Sequence, residues 1–461
     1  MKAIQFILGL IADFFGAVMD AFHKQQGFNA EFGSERLIGS RFNKGFVYSK
    51  YRKLSRRTSH SNFLITGITG KGKSTRLIIK SLLTLHNCSL IIHDPSMELY
   101  NLTSGHLSKH FVVKTLNFSD DTLSAGFNLL SRIKKPNDVN KLAHILVATS
   151  LDKGSGDPFW SLASKKLLQI IIRVVLLQPQ QYHNIANVIQ VLQHFSADPQ
   201  KVDAWVAASG DEKLILDYKA LISTPERTLQ NVVASLSAAL ETYDTPAISK
   251  VCSCDTIDFE RIRQTPHAIF LHNSIADQAF LSTLTSVYFE QFFNFILERL
   301  PQKNDLDVFN ILDEASSLKI PLLPLFLANC RKFRCGNLLS IQGKNQLKSF
   351  YRNDAETVTS NCLTRLYLPG ISDVDELREI ETLAGKCTYK DKHGAEKTKQ
   401  LITSDEIRQL PDNRTLILSG NHPLIHGRSS FYFHSMLFRK YTGIPPVPMK
   451  SDIPDGPIAL L

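Results

Sequence analysis

The residues from Gly67 to Thr75 have the types and spacing to hold a polyphosphate. Gly67 is followed, after four positions, by Gly72, Lys73, Ser74 and Thr75, with Gly70 and Lys71 in between. An apolar stretch, Phe63–Thr66, precedes the run, and Leu77, Ile78 and Ile79 follow it. A strand, a glycine turn and a helix in that order let backbone N–H groups and the positive helix end face an anion. Lys73 is expected to reach the β- and γ-phosphates, and the Ser74 hydroxyl to hold Mg²⁺. The expected nucleotide-binding set is therefore Gly67, Gly70, Lys71, Gly72, Lys73, Ser74 and Thr75.

Four further residues complete a candidate hydrolytic set. Val308–Leu312 is an apolar run that ends in Asp313 and Glu314. After such a strand, Asp313 suits the Mg²⁺ shell and Glu314 suits orienting or deprotonating a water. The next strand, Asn337–Gln342, ends in Gln342, which can sense a γ-phosphate. Arg331 closes the preceding helix. It either caps that helix through the helix dipole or reaches the γ-phosphate of a neighbouring subunit. Asp94, at the end of the strand Ser89–His93, falls near the nucleotide if the sheet is parallel. Capping by Asp94 or Ser96 is the competing reading.

These residues need a parallel sheet to bring them to one edge. Strands are expected at Asn62–Thr66, Ser89–His93, Phe111–Leu116, Ala268–Leu271, Val308–Leu312 and Asn337–Gln342. An edge strand is expected at Leu363–Leu368 and a last strand at Thr415–Ser419. Helices are expected at Thr75–His86, Ala279–Glu298 and Asp375–Ala384. From Phe159 to about residue 248 the apolar period is helical throughout, which predicts an all-α insertion in an α/β domain. The expected units are an apolar helix (1–24), a basic connector (25–60), a nucleotide-binding domain (61–158 and 249–440), the all-α insertion (159–248) and a flexible proline-rich tail (441–461).

Bulk properties are those of a globular chain. The 461 residues are too many for one ordinary core. The net charge of +10 favours an anionic partner, although the excess is spread widely. Seven cysteines without metal-ligand spacing argue for reduced thiols and against a disulfide scaffold. Residues 3–22 are mostly apolar, but Gln5, Gly9, Asp13, Gly16 and Asp20 fall on one helical stripe. An aspartate near mid-membrane costs about 2.5–3.5 kcal/mol, so a helix lying in the interface or against a partner fits better than a lone span, with a helix docked on the protein's own core as the alternative. No small-residue cleavage site closes this stretch, so no cleaved signal is expected. Residues 24–60 are basic and suit anionic lipid, nucleic acid or a solvated connector.

Taken together, these motifs make the chain resemble the TraG/TraD-like coupling ATPases of conjugative type IV secretion. The resemblance rests on the loop Thr66–Thr75, on Asp94-Pro95-Ser96-Met97-Glu98-Leu99-Tyr100, and on Asp157-Pro158-Phe159-Trp160. It extends through Ile311–Ala315, Ile341-Gln342, Asn361-Cys362 and the closing segment Leu401–Pro411. It implies a RecA-like P-loop motor with a mostly parallel sheet and a smaller all-α domain, assembled as a homo-hexameric ring. It also implies ATP and Mg²⁺ as cofactors, with Arg331 similar to the trans-acting arginine and Gln342 to the sensor glutamine. The partners implied are single-stranded DNA or a relaxase–DNA complex and the proteins of a secretion channel, at the cytoplasmic face of the bacterial inner membrane. Ser96 and Met97 depart from the family's Lys-Gly.

The expected function is ATP-driven delivery of a DNA substrate to that channel. Two alternatives stand beside it: a nucleotide-gated docking receptor that pumps nothing, and a cytosolic DNA translocase or helicase.

Overall fold

The computed structural model describes residues 29–150, 158–273, 276–390 and 392–461. The apolar segment 3–22 and Asp157 lie outside the described residues.

The fold is built on a sheet whose strands are β1 (Phe63–Thr66), β2 (Cys88–His93), β3 (Val112–Asn117), β4 (His267–His272), β5 (Asp307–Leu312), β6 (Cys335–Ile341), β7 (Thr364–Tyr367), β8 (Arg414–Ser419) and β9 (Ile425–Arg428). Among the described residues they form one nine-stranded sheet in the order β9-β8-β7-β1-β6-β5-β2-β4-β3. The seven strands from β7 to β3 run parallel, and β8 and β9 add antiparallel at one side.

Because strand side chains alternate, each strand feeds two cores. Phe63, Ile65, Leu90, Ile92, Phe309 and Ile311 pack with the helical run Leu77–Leu85 on one face. Leu64, Ile91, Val308 and Leu312 face the other way, into a core shared with the long helices. That second layer comprises Pro158–Leu176, Ile185–Ala197, Pro199–Ala208, Glu212–Ile222 and Glu226–Leu240. It also takes in Pro136–Ser150, a helix to which the sequence reading gave no element; Leu142 and Leu146 belong to the same core as Leu167 and Ile171.

Three expectations are corrected. Thr364–Tyr367 is not an edge strand, because β8 pairs with it on its far side and β1 on the near one. Arg414–Ser419 is not the last strand, because β9 turns back along it. The proline-rich tail is not loose. The Tyr100 hydroxyl donates to the Val447 carbonyl at 2.7 Å, Lys114 pairs with Asp452 at 2.6 Å, and Asn187 Nδ2 donates to the Ala459 carbonyl at 2.9 Å. The tail thereby ties the sheet to the helical layer.

Candidate nucleotide site

The end of β1 leads into the glycine loop, and two glycines there take backbone that other residues rarely adopt. Gly70 and Gly72 have φ of +81° and +84°. A Cβ on Gly72 would also fall 2.9 Å from Phe431 Cε1 and from Thr75 Oγ1. Beyond the loop, Ser74–Ile78 is wound as a wide π-type segment before the α-helix Ile79–Leu82 takes over. Such widened turns cluster at functional sites, since they re-aim the first helical side chains.

Three of the expected residues converge here. The buried Lys73 ammonium donates to the Gly67 carbonyl at 2.8 Å. Burial lowers its proton affinity, and the charges of Asp313 and Glu314 act against that shift. Ser74 Oγ donates to Asp313 Oδ2 at 2.9 Å, which joins the start of the helix to the end of β5. Burial raises the Asp313 pKa, while the hydrogen bond from Ser74 and the charge of Lys73 lower it. A hydroxyl and a carboxylate meeting beside a phosphate loop are the hard oxygen donors that Mg²⁺ takes, so these residues fit that ion.

Glu314 stands next along the chain in left-handed backbone, φ 55° and ψ 49°, an uncommon conformation for a glutamate. Its N–H donates to Asp313 Oδ1 at 3.2 Å. Gln342 follows β6 directly, and β6 pairs with β1 up to Ile341 and Thr66, so Gln342 lies at the same edge as the loop. Its Oε1 accepts from Gln346 Nε2 at 3.2 Å, and Gln346 Oε1 accepts from Ser316 at 2.9 Å. A polar chain thus connects the end of β6 to the turn that carries Glu314.

Asp94 lies at this edge too, and its carboxylate accepts from the Tyr100 N–H at 2.7 Å. The helix Glu98–Leu107 starts at Met97, which makes no side-chain cap bond, so neither Asp94 nor Ser96 is its N-cap residue, although Asp94 takes up one of its free N–H groups. Burial pushes the Asp94 pKa up to about 7, with Asp313 among the like charges that add to the shift. Met97, where the family pattern has glycine, adopts φ +57°. Lys71 donates its ammonium to Asp412 Oδ1 at 2.9 Å. Arg331 is not brought together with them. It is exposed on the turn Cys330–Phe333, where β6 begins, at the opposite edge of the sheet.

Three residues that the sequence reading passed over shape the site. His93 Nδ1 lies 2.7 Å from the main-chain carbonyl of Asp313. Arg76 donates to Ser429 Oγ at 3.0 Å and to the Asp412 carbonyl, and its guanidinium sits 4.1 Å over the Phe431 ring. Arg76 is one turn past Lys73, which is the only sequence signal for it. Phe431 lies far from the loop in sequence and carries none.

Comparison with known proteins identifies the family and the fold. A model of the family described as "Type IV secretory system Conjugative DNA transfer" matches residues 35–450. The conjugal transfer protein TraG of Escherichia coli is 25% identical over 464 aligned residues, covering 86% of this chain and 71% of that protein. Among solved structures, the bacterial conjugative coupling protein TrwBdeltaN70 in complex with sulphate superposes with a TM-score of 0.70 at 16% identity, covering 92% of this chain and 96% of that one. TrwB with the non-hydrolysable ATP analogue ADPNP gives 0.67 at 15% identity, with 92% and 95% covered. TrwB with ADP and Mg²⁺ gives 0.67 at 16%, with 87% and 94% covered. At these identities the structural likeness shows the fold, the RecA-like sheet with its helical layer.

Proposed function

The chain belongs to the type IV secretory system conjugative DNA transfer family, and from that premise we propose that it is an ATP-hydrolysing coupling protein that recruits DNA or a DNA–relaxase complex and delivers it to the secretion channel. The observation that carries this reading is the convergence of Lys73, Ser74 and Asp313 at the ends of β1 and β5. The TrwB complexes with ADPNP and with ADP and Mg²⁺ support ATP and Mg²⁺ as the cofactors of the same loop here.

The chain's residues divide the work by position. Backbone N–H groups from Gly67 to Thr75 cradle the phosphates, and Lys73 exchanges its bond to the Gly67 carbonyl for one to a phosphate oxygen. Ser74 and Asp313 are the residues that would hold Mg²⁺, which supplies charge neutralisation on the phosphates when bound. Glu314 orients a water and takes its proton, and Gln342 senses the γ-phosphate from the neighbouring strand. Arg331 acts in the site of the adjoining copy in a hexameric ring. The nucleotide-binding unit spans residues 61–158 and 249–440, and the helical insertion 159–248 is the substrate-facing unit.

We place the protein at the cytoplasmic face of the bacterial inner membrane, in contact with it through residues 3–22 or a partner. No helix among the described residues is long and apolar enough to span a bilayer. A basic, aromatic surface supports membrane contact. From Arg36 to Arg57 the chain has eight cations and no carboxylate. Arg41 and Lys50 lie 5.1 and 4.8 Å from the Tyr51 ring centre, beside Phe42, which is 90% exposed.

ATP turnover measured with and without single-stranded DNA tests the reading. DNA stimulates the wild-type protein, and Lys73→Ala loses at least about a hundredfold of that turnover. Full turnover by Lys73→Ala overturns the proposal. If Glu314→Gln stops hydrolysis yet preserves DNA transfer, the protein is a nucleotide-gated receptor instead of a motor.

A further inference from the structure

Next to the phosphate loop lies an aromatic shelf to which no role has been given. Phe431 reaches the loop itself, since its Cε1 is 2.9 Å from where a Gly72 Cβ would stand. The Arg76 guanidinium is 4.1 Å over the Phe431 ring, and the Phe433 ring stacks on Phe431 with centroids 4.9 Å apart and planes 10° from parallel. Arg76, Phe431 and Phe433 are therefore consecutive members of one stack that starts at the first turn after the loop. The outer member is open: Phe433 is 45% exposed, with His434 set edge-on to it at 4.9 Å.

The position is fixed by more than one anchor. Arg76 bonds to Ser429 and to the Asp412 carbonyl, so the segment that leaves β9 is fastened to the helix that follows the loop. Tyr432 packs into the core below Phe433 in sequence order. The shelf is thus anchored on one side to the helix after the loop while it leaves one large flat ring half-exposed beside the phosphate cradle.

We propose that Phe433 is the stacking platform for the base of the bound nucleotide, with Phe431 as the residue that positions it. This rests on the loop being a nucleotide site and adds where the base lies. A base is the flat π-surface that matches an exposed ring at the edge of a phosphate cradle, and aromatic stacking serves adenine and guanine alike.

The test compares ligands with and without a base. Dissociation constants for MgATP, MgGTP and magnesium tripolyphosphate are measured on the wild-type protein and on Phe433→Ala by calorimetry. Phe433→Ala weakens MgATP and MgGTP by about tenfold or more and leaves tripolyphosphate within about twofold. Unchanged MgATP affinity in Phe433→Ala overturns the platform while leaving the loop reading intact. Wild-type protein that binds neither MgATP nor tripolyphosphate overturns both. If Phe433→Ala loses tripolyphosphate as well, Phe433→Trp decides: MgATP affinity equal to or tighter than wild type supports stacking, and a tenfold loss overturns it.

Discussion

His93 donates its Nδ1 proton to the main-chain carbonyl of Asp313 across 2.7 Å. With a carbonyl as partner, Nδ1 must carry the proton. Burial depresses the His93 pKa to about 4, so the ring is neutral under ordinary conditions. The bond fixes the peptide that turns the chain into the left-handed Glu314. His93 is accordingly a positioning residue for Glu314, not a proton carrier.

This position makes a kinetic prediction. His93→Leu removes the donor, leaves the phosphate contacts of Lys73 and Ser74 in place, and lets the Glu314 carboxylate wander. We expect kcat for ATP to fall by about tenfold or more with KM within about threefold. His93→Gln, which keeps an N–H donor, recovers part of the loss. Steady-state kinetics of the three proteins checks this; a rise in KM at constant kcat would place His93 on binding instead.

Met97 sits at φ +57° where the family pattern has glycine, while its side chain packs against the core of the sheet's helix face. Two effects oppose each other in Met97→Gly. The change relieves left-handed strain of about 1–2 kcal/mol and loses part of an apolar contact of similar size. Stability in urea should therefore move by less than about 1 kcal/mol. Met97→Val keeps apolar surface but adds a β-branch at positive φ, and should cost about 1–3 kcal/mol.

Such particulars show where the sequence was informative. Lys73, Ser74 and Asp313 were legible because phosphate and Mg²⁺ chemistry demands fixed residue types at fixed spacing beside apolar strands. β1, β2, β5 and β6 were legible for a related reason: strands buried on both faces read as continuous apolar runs. β9 was not, since Ile425-His-Gly-Arg428 has one apolar side chain and joins the sheet only through its register with β8. The hairpin Lys386–Lys390 and Glu396–Gln400 sets only Cys387 and Tyr389 on one face of an otherwise polar, mostly exposed pair, too little apolar surface to mark it as strand. The docked tail was missed because its hold comes from main-chain carbonyls meeting Tyr100 and Asn187, which composition does not record. His93 and Phe431 act through contacts more than a hundred positions away in the chain, so no local pattern marks them.

Lys80 gives a pH signature. Its side chain is buried, its ammonium has no hydrogen-bond partner, and burial, with Arg76 and Lys50 nearby, lowers its pKa from 10.5 to about 7. Between pH 7 and 10.5 the unfolded chain holds a proton that the folded chain has released, so this residue's penalty shrinks as pH rises through that window. Below pH 7 both states are protonated and the penalty is complete. Lys80→Met should raise stability by more than about 1 kcal/mol at pH 6.5, and by clearly less at pH 9.5. Urea midpoints at the two values check the sign; a gain that grows with pH would refute it.

Arg331 and Lys73 stand at opposite edges of one sheet. β6 begins at Cys335, just after the Arg331 turn, and ends at Ile341 beside Thr66, where the loop starts. The strand between them spans about 20 Å, beyond the reach of an arginine side chain. If Arg331 serves a nucleotide, that nucleotide belongs to another copy of the chain. Lys73→Ala and Arg331→Ala proteins should each hydrolyse ATP poorly alone. Mixed in equal amounts they should regain turnover, because some junctions then pair an intact Lys73 with an intact Arg331. A helix-end role for Arg331 predicts a different result, with Arg331→Ala nearly as active as wild type and no gain on mixing. ATPase assays on the separate and mixed proteins at matched total concentration distinguish the two.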